Sequence, residues 1–240
     1  SFRSLQKAIN FLCYYMIAHT LVFPMTWLTG LWEHWSTILV NIGGAILGGP
    51  LMPTEALVKY KGQPAVTMTH NFPAAIWSFL IIIQHSSSIR KTYPRIHRLC
   101  GYLHAAVSVV MMASVFPIMK SRDMYFSKHP AVAGLYYIQA CWLLFSLAYA
   151  ILAARAKMFQ VHRAWMLRHT ASGIWVSVQR VGMLAVFPVL EQVLPFFGIV
   201  LNDWHGKVAF GVATVVAFVG CVLFCEAYLW LERRQHLKLA

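Results

Sequence analysis

Two pairs of histidines with the same spacing are the residues in this chain best suited to chemistry. His97 and His104 lie seven apart in IHRLCGYLHAAVSVV, and His162 and His169 lie seven apart in VHRAWMLRHTASGIWVSVQR. On an α-helix seven residues return to nearly the same face, about 10 Å further along the axis. Each segment therefore presents an outer and a deeper imidazole on one stripe. Both helices are expected to run the same way, which sets His104 and His169 at matched depth. Two neutral imidazoles from opposing helices are what the iron of a b-type haem takes as axial ligands. Gly101 lies on the same stripe as His97 and His104, and a glycine there lets a flat macrocycle approach the backbone. Arg90, Arg98, Arg163 and Arg168 gather at the same end, where guanidinium groups can pair with propionates. The expected iron ligands are His104 and His169, with His97 and His162 beside them. Haem b is the one candidate cofactor.

A plainer reading stands beside this one. His97 and His162 each precede an arginine at an interface, where polar side chains are cheap and serve as anchors or hydrogen-bond partners. A quinone or a lipid headgroup could use the same donors. His70, Trp77 and Gln84 also recur at seven, on a neighbouring segment. His70 is expected level with Arg180, eleven residues beyond His169. With Gln179 they read as a polar contact, or as one wall of a small anionic or quinone site. A lone arginine at this depth costs ~2.5–3.5 kcal/mol unless paired or hydrated, so Arg180 is expected to face the interior. Glu226 lies near the basic end and can neutralise an arginine. No second deep histidine pair is visible, which limits the haem count to one.

Membrane helices are what must position these residues. Five apolar runs stand out, at 64–86, 99–119, 131–153, 166–190 and 208–231, and ~18 apolar residues suffice for a candidate span. A sixth run, 11–32, is interrupted by Pro24. The chain is 59% hydrophobic and 11% charged, against ~25% charged in a soluble domain. The fold class expected is all-α: a polytopic transmembrane helical bundle of about six spans, one domain over 1–240. The segment 36–58 is apolar but holds Gly43, Gly44, Gly48, Gly49, Pro50 and Pro53. It fits an interfacial or re-entrant element better than a free helix. Six spans use up the 240 residues and leave no room for a soluble catalytic domain. The run 11–32 is too long for a secretory leader and lacks a small-residue cleavage site.

Charge orients the bundle. With one side called B, thirteen basic residues fall there, in the loops around Arg90–Arg98 and Arg155–Arg168 and at both termini. Six fall on side A, with five of the seven acids. Positive charge favours the cytoplasmic or matrix side, so both termini are expected there. The net charge of +13 then meets anionic headgroups rather than nucleic acid. The five cysteines form no CxxC pair, so neither a zinc site nor a disulfide framework is expected. No nucleophile motif, phosphate loop or paired carboxylates appear, which leaves electron transfer as the only enzymatic role in view.

Three blocks resemble the domain-of-unknown-function family 2306 of multi-pass membrane proteins. They are TMTHNFPAAIWSFLIIIQHSSSIR, IHRLCGYLH and VHRAWMLRHTASGIWVSVQR. The family-like core covers about 64–190. Carried over residue by residue, the resemblance picks out His70, Arg90, His97, Arg98, Gly101, His162, Arg163, Trp165, Met166, Arg168 and Arg180. The family pattern usually has tyrosine at the position of His104 and no histidine at that of His169. The resemblance implies a bundle similar in outline to cytochrome b561-like proteins. It implies no activity. Three functional expectations follow. The first is a redox-type membrane protein, a b-type haem carrier within a larger energy-converting complex. The second is a structural subunit of a respiratory complex that binds lipid or neighbouring subunits. The third is a quinone or small-molecule transporter or sensor. An organellar inner membrane, mitochondrial above all, or a bacterial inner membrane is the expected location.

Overall fold

A computed structural model describes residues 2–28, 64–120, 130–199 and 203–239. The segment 36–58 lies outside the described residues. Helices and short turns make up everything described. The long helices are α1 (Phe2–Leu28), α2 (Pro64–His85), α4 (Pro94–Ala113), α6 (Pro130–Arg155), α7 (Phe159–Val193) and α8 (Asp203–Leu239). Two short ones, α3 (Ser87–Thr92) and α5 (Val115–Lys120), flank α4.

Local chemistry explains the breaks. Ser86 caps α3 by accepting the Ile89 N–H at 3.3 Å, satisfying a donor that a helix start leaves unpaired. Pro94 opens α4 at its first turn, where its missing N–H costs nothing. The run 99–119 is not one uninterrupted helix, because it breaks at Ser114. Pro117 cannot donate to the carbonyl four residues back, at Ala113, and its ring crowds that turn. Arg155 closes α6 through a turn at 156–158. There the Met158 N–H reaches the Ala153 carbonyl and the Lys157 N–H reaches Ala154. Lys157 takes φ 58°, the left-handed conformation of a Schellman cap. This short turn makes α6 and α7 antiparallel neighbours.

Among the described residues, three helical stretches are long and apolar enough to cross a membrane: Pro94–Lys120, Ala133–Arg155 and His205–Gln235. Their outer faces carry exposed Leu99, Tyr102, Ile138, Leu152, Leu223 and Phe224. Such faces suit hydrocarbon rather than water. The other long helices are α1, α2 and α7, of which α7 carries Arg163, Arg168, His169, Gln179 and Arg180. They pack on one another, with α2 and α7 placing their polar side chains inside. α1 packs on α2 and α7, α4 on α2, and α6 and α8 on α7. Lipid forces apolarity only on helices that face it. The hydropathy of an interior helix is therefore a poor measure of whether it crosses. The core is continuous through Trp77, Ile81, Met111, Leu143, Ile174 and Phe210.

Candidate functional site

Helices α2, α4, α6 and α7 converge on the deeper histidines. His104 from α4 is 1% exposed and His169 from α7 is 0% exposed. Their Nε2 atoms are 2.8 Å apart. Trp77 of α2 donates its indole N–H to His169 Nε2 at 3.3 Å. His169 Nδ1 lies 3.0 Å from the Leu143 carbonyl on α6.

These contacts assign the protons. A carbonyl only accepts, so His169 Nδ1 carries hydrogen. An indole N–H only donates, so His169 Nε2 presents its lone pair. The hydrogen between the two imidazoles therefore belongs to His104 Nε2. His104 Nδ1 is then an acceptor, and it is buried with no hydrogen-bond partner. His169 is thus a neutral imidazole that donates at Nδ1 and accepts at Nε2 from two sides.

A haem iron needs two imidazole nitrogens roughly 4 Å apart, twice an ordinary metal–imidazole bond. The observed 2.8 Å is a hydrogen bond. The rings stand nearly perpendicular at 83°, with centroids 5.0 Å apart. Trp77 packs against both, at 5.5 Å from His104 and 5.7 Å from His169. The glycine surfaces are filled as well. A Cβ at Gly101 would meet the Gln84 amide at 3.7 Å, and one at Gly173 would meet Trp77 ring carbons at 2.5 Å. In this packing the residues do not fit a haem between His104 and His169. The matched depth is realised as direct contact.

The other expected residues are brought to different partners. His162 Nδ1 donates to the Ala150 carbonyl at 2.8 Å, across the α6–α7 turn. Gln84 donates to the His97 carbonyl at 2.8 Å. Arg163 pairs with Glu232 at 2.6 Å. Arg168 holds Glu226 through two bonds, at 2.6 and 2.7 Å, a bidentate geometry that guanidinium favours. Both acids are on α8, so these two arginines tie α7 to α8. Arg90 and Arg98 are exposed. His70 turns to Ser114 Oγ at 2.9 Å and to the Met111 carbonyl at 3.2 Å. Gln179 donates instead to Thr214 Oγ1 at 2.6 Å and to the Phe210 carbonyl at 3.1 Å. His70 is thus tied to the α4–α5 junction and Gln179 to α8. Arg180 is 7% exposed and lies 4.6 Å over the Phe210 ring.

Several contributors escaped the sequence reading. Gly173 sits four residues after His169, on the same face, and makes room for Trp77; that spacing is a usable signal. Thr170 bonds His85 Nε2 at 2.8 Å, and Gln139 donates to the Ser172 carbonyl at 2.8 Å. The Leu143 carbonyl has no sequence signal, because every residue has one. Among the described residues no group of three or more His, Cys, Asp or Glu is placed to hold a metal ion. No family model, curated protein or solved structure matches the chain.

Proposed function

We propose that this chain is a structural subunit of a membrane assembly, a bundle crossing the bilayer six times. Its interior polar residues serve as ties between helices. The observation that carries the reading is the 2.8 Å contact between His104 and His169, closed off by Trp77 and Leu143. A ligand-binding pair would hold its lone pairs open. Here the lone pair of His169 Nε2 is spent on neighbouring helices. Buried polar side chains act as glue between membrane helices, and Gln84, Gln139, His162, Gln179, Arg163 and Arg168 bridge helices or chain segments in the same way. Native membranes solubilised in mild detergent are expected to carry the chain in a complex well above its own 27.2 kDa on a native gel. Migration as a lone chain would remove the subunit reading.

A second reading, the haem b electron carrier, is favoured by one observation. His169 donates Nδ1–H to a backbone carbonyl, the arrangement that orients a metal-binding imidazole. A reduced-minus-oxidised spectrum of protein prepared with ample haem decides between the two. No haem band is expected, and a band lost in His104→Ala would establish the carrier.

Orientation belongs to the same proposal. Side B, with both termini, faces a cytoplasm or an organellar matrix, because thirteen basic residues lie there against six. With the native cysteines replaced, Thr92→Cys and Lys157→Cys are expected to label from one face of sealed vesicles. Phe196→Cys, in the exposed short helix Leu194–Phe197 after α7, is expected to label from the other. Labelling of all three from one face would overturn the topology.

A further inference from the structure

Two prolines weaken the α2–α4 seam at its side-A end. Pro73 lies inside α2, and Pro117 lies in α5, just past the break at Ser114. Neither can donate to the carbonyl four residues back, Thr69 or Ala113, so each helix bends more easily there than elsewhere. Three residues along the chain lead from His70 to Pro73, and three from Ser114 to Pro117. One side chain pins these two points together. His70 Nδ1 lies 2.9 Å from Ser114 Oγ and 3.2 Å from the Met111 carbonyl. A carbonyl only accepts, and Ser114 spends its own hydrogen on that carbonyl at 2.6 Å. His70 Nδ1 therefore carries the hydrogen and donates to both.

The rest of the seam is fixed. Beyond Pro73, Trp77 and Ile81 belong to the core, Trp77 bonds His169, and Gln84 holds the His97 carbonyl. Across the seam, α5 buries Val115, Ile118 and Met119, and Phe116 stacks on Tyr137 of α6 with centroids 5.4 Å apart. What is left to move is the arm of α2 before Pro73, with α1 beside it. Next to His70 on that arm, Asn71 is 5% exposed, and its Nδ2 is buried with no hydrogen-bond partner. A buried donor without an acceptor is a cost carried by the closed arrangement. Water relieves it once the arm shifts far enough to admit solvent from side A. We propose that this arm is a hinged flap. Pro73 is its pivot, His70 is its latch on the α4–α5 junction, and the Asn71 amide biases it toward opening. A few residues that absorb a backbone change beside a rigid body are the ordinary form of such a hinge. The flap goes beyond the subunit reading and requires only that α2 cross the membrane.

The test uses the full chain in lipid bilayers, with the native cysteines replaced and spin labels on Met68→Cys and Lys120→Cys, both exposed at side A. Pulsed electron spin resonance reads their distance distribution. Labels on Phe79→Cys and Tyr102→Cys, exposed on α2 and α4 beyond the hinge, form the control pair. His70→Ala should raise the ratio of long to short distances about fivefold, the effect of one lost neutral hydrogen bond, and leave the control pair unchanged. Ser114→Ala, which keeps the Met111 carbonyl as acceptor, should shift the ratio the same way by less. In the His70→Ala background, Asn71→Leu should restore the short distance, and Pro73→Ala should narrow the distribution. An unchanged Met68–Lys120 distribution in His70→Ala overturns the latch. Equal broadening at the control pair overturns the hinge, because the whole seam then loosens. An Asn71→Leu variant that fails to restore the short distance overturns the role of the amide. If His70→Ala does not fold, Ser114→Ala decides by the same two distributions.

Discussion

His169→Leu is expected to destabilise the bundle far more than His104→Leu, although the two histidines touch. Removing His169 leaves two buried donors without an acceptor: the Trp77 indole N–H and the His104 Nε2–H. Each orphaned buried donor costs about 1–3 kcal/mol. The Leu143 carbonyl loses little, since Ser146 Oγ also donates to it, at 2.9 Å. Removing His104 strands no donor. His169 Nε2 still accepts from Trp77, and its Nδ1–H still reaches Leu143. The substitution also deletes His104 Nδ1, which is buried without a partner. His104→Leu should therefore stay within about 1 kcal/mol of wild type, its cost being mainly one lost neutral hydrogen bond. Unfolding by titration from mild detergent into sodium dodecyl sulfate, followed by circular dichroism, measures both. Equal losses would contradict the proton assignment. Haem ligation predicts equality, because either ligand is lost alike.

Among the described glycines, Gly173→Ala should be the most disruptive added methyl group. Its Cβ would come 2.5 Å from two ring carbons of Trp77. That ring is rigid, 2% exposed, and pinned by its bond to His169. Neither helix can yield without disturbing the histidine contact. Overpacking of this kind costs about 1–3 kcal/mol, and it outweighs the ~1 kcal/mol that alanine gains over glycine in a helix. Trp77→Leu placed on top of Gly173→Ala should cost less than its effect in the wild type, because the clash is gone; the double-mutant cycle reads that coupling. Gly101→Ala is the control. Its Cβ would meet Gln84 at an ordinary 3.7 Å, so helix propensity decides and stability should hold or rise. A destabilised Gly101→Ala beside a neutral Gly173→Ala would reverse the assignment of the tight crossing.

The contrast between these glycines shows where reading the chain stops. Gly101 and Gly173 both lie on a histidine stripe, and helical spacing alone treats them alike. Only the neighbouring helix distinguishes them: one faces the end of a flexible amide, the other a fixed indole. Helical periodicity specifies which face a side chain takes and how deep it lies, but not what stands opposite. The arginines behave in the same way. Their clustering at one end is plain from order along the chain. Their pairing with Glu226 and Glu232 depends on how α8 returns beside α7.

What the sequence by itself determined is the helical class, the apolar runs from which the long helices grow, and the matched depth of His104 and His169. All of these follow from local periodicity and from the cost of polarity in hydrocarbon. What only the tertiary structure decided is the separation at that depth. A spacing of seven on two helices is as compatible with an iron between the rings as with a hydrogen bond. The 2.8 Å contact arises because Gly173 admits Trp77 between α2 and α7, and because the Leu143 carbonyl fixes the His169 tautomer. Trp77 and the Leu143 carbonyl stand on helices α2 and α6, outside both histidine stripes. The spacing of Gly173 after His169 marks a place for a close neighbour, but no spacing within a stripe says which residue stands there.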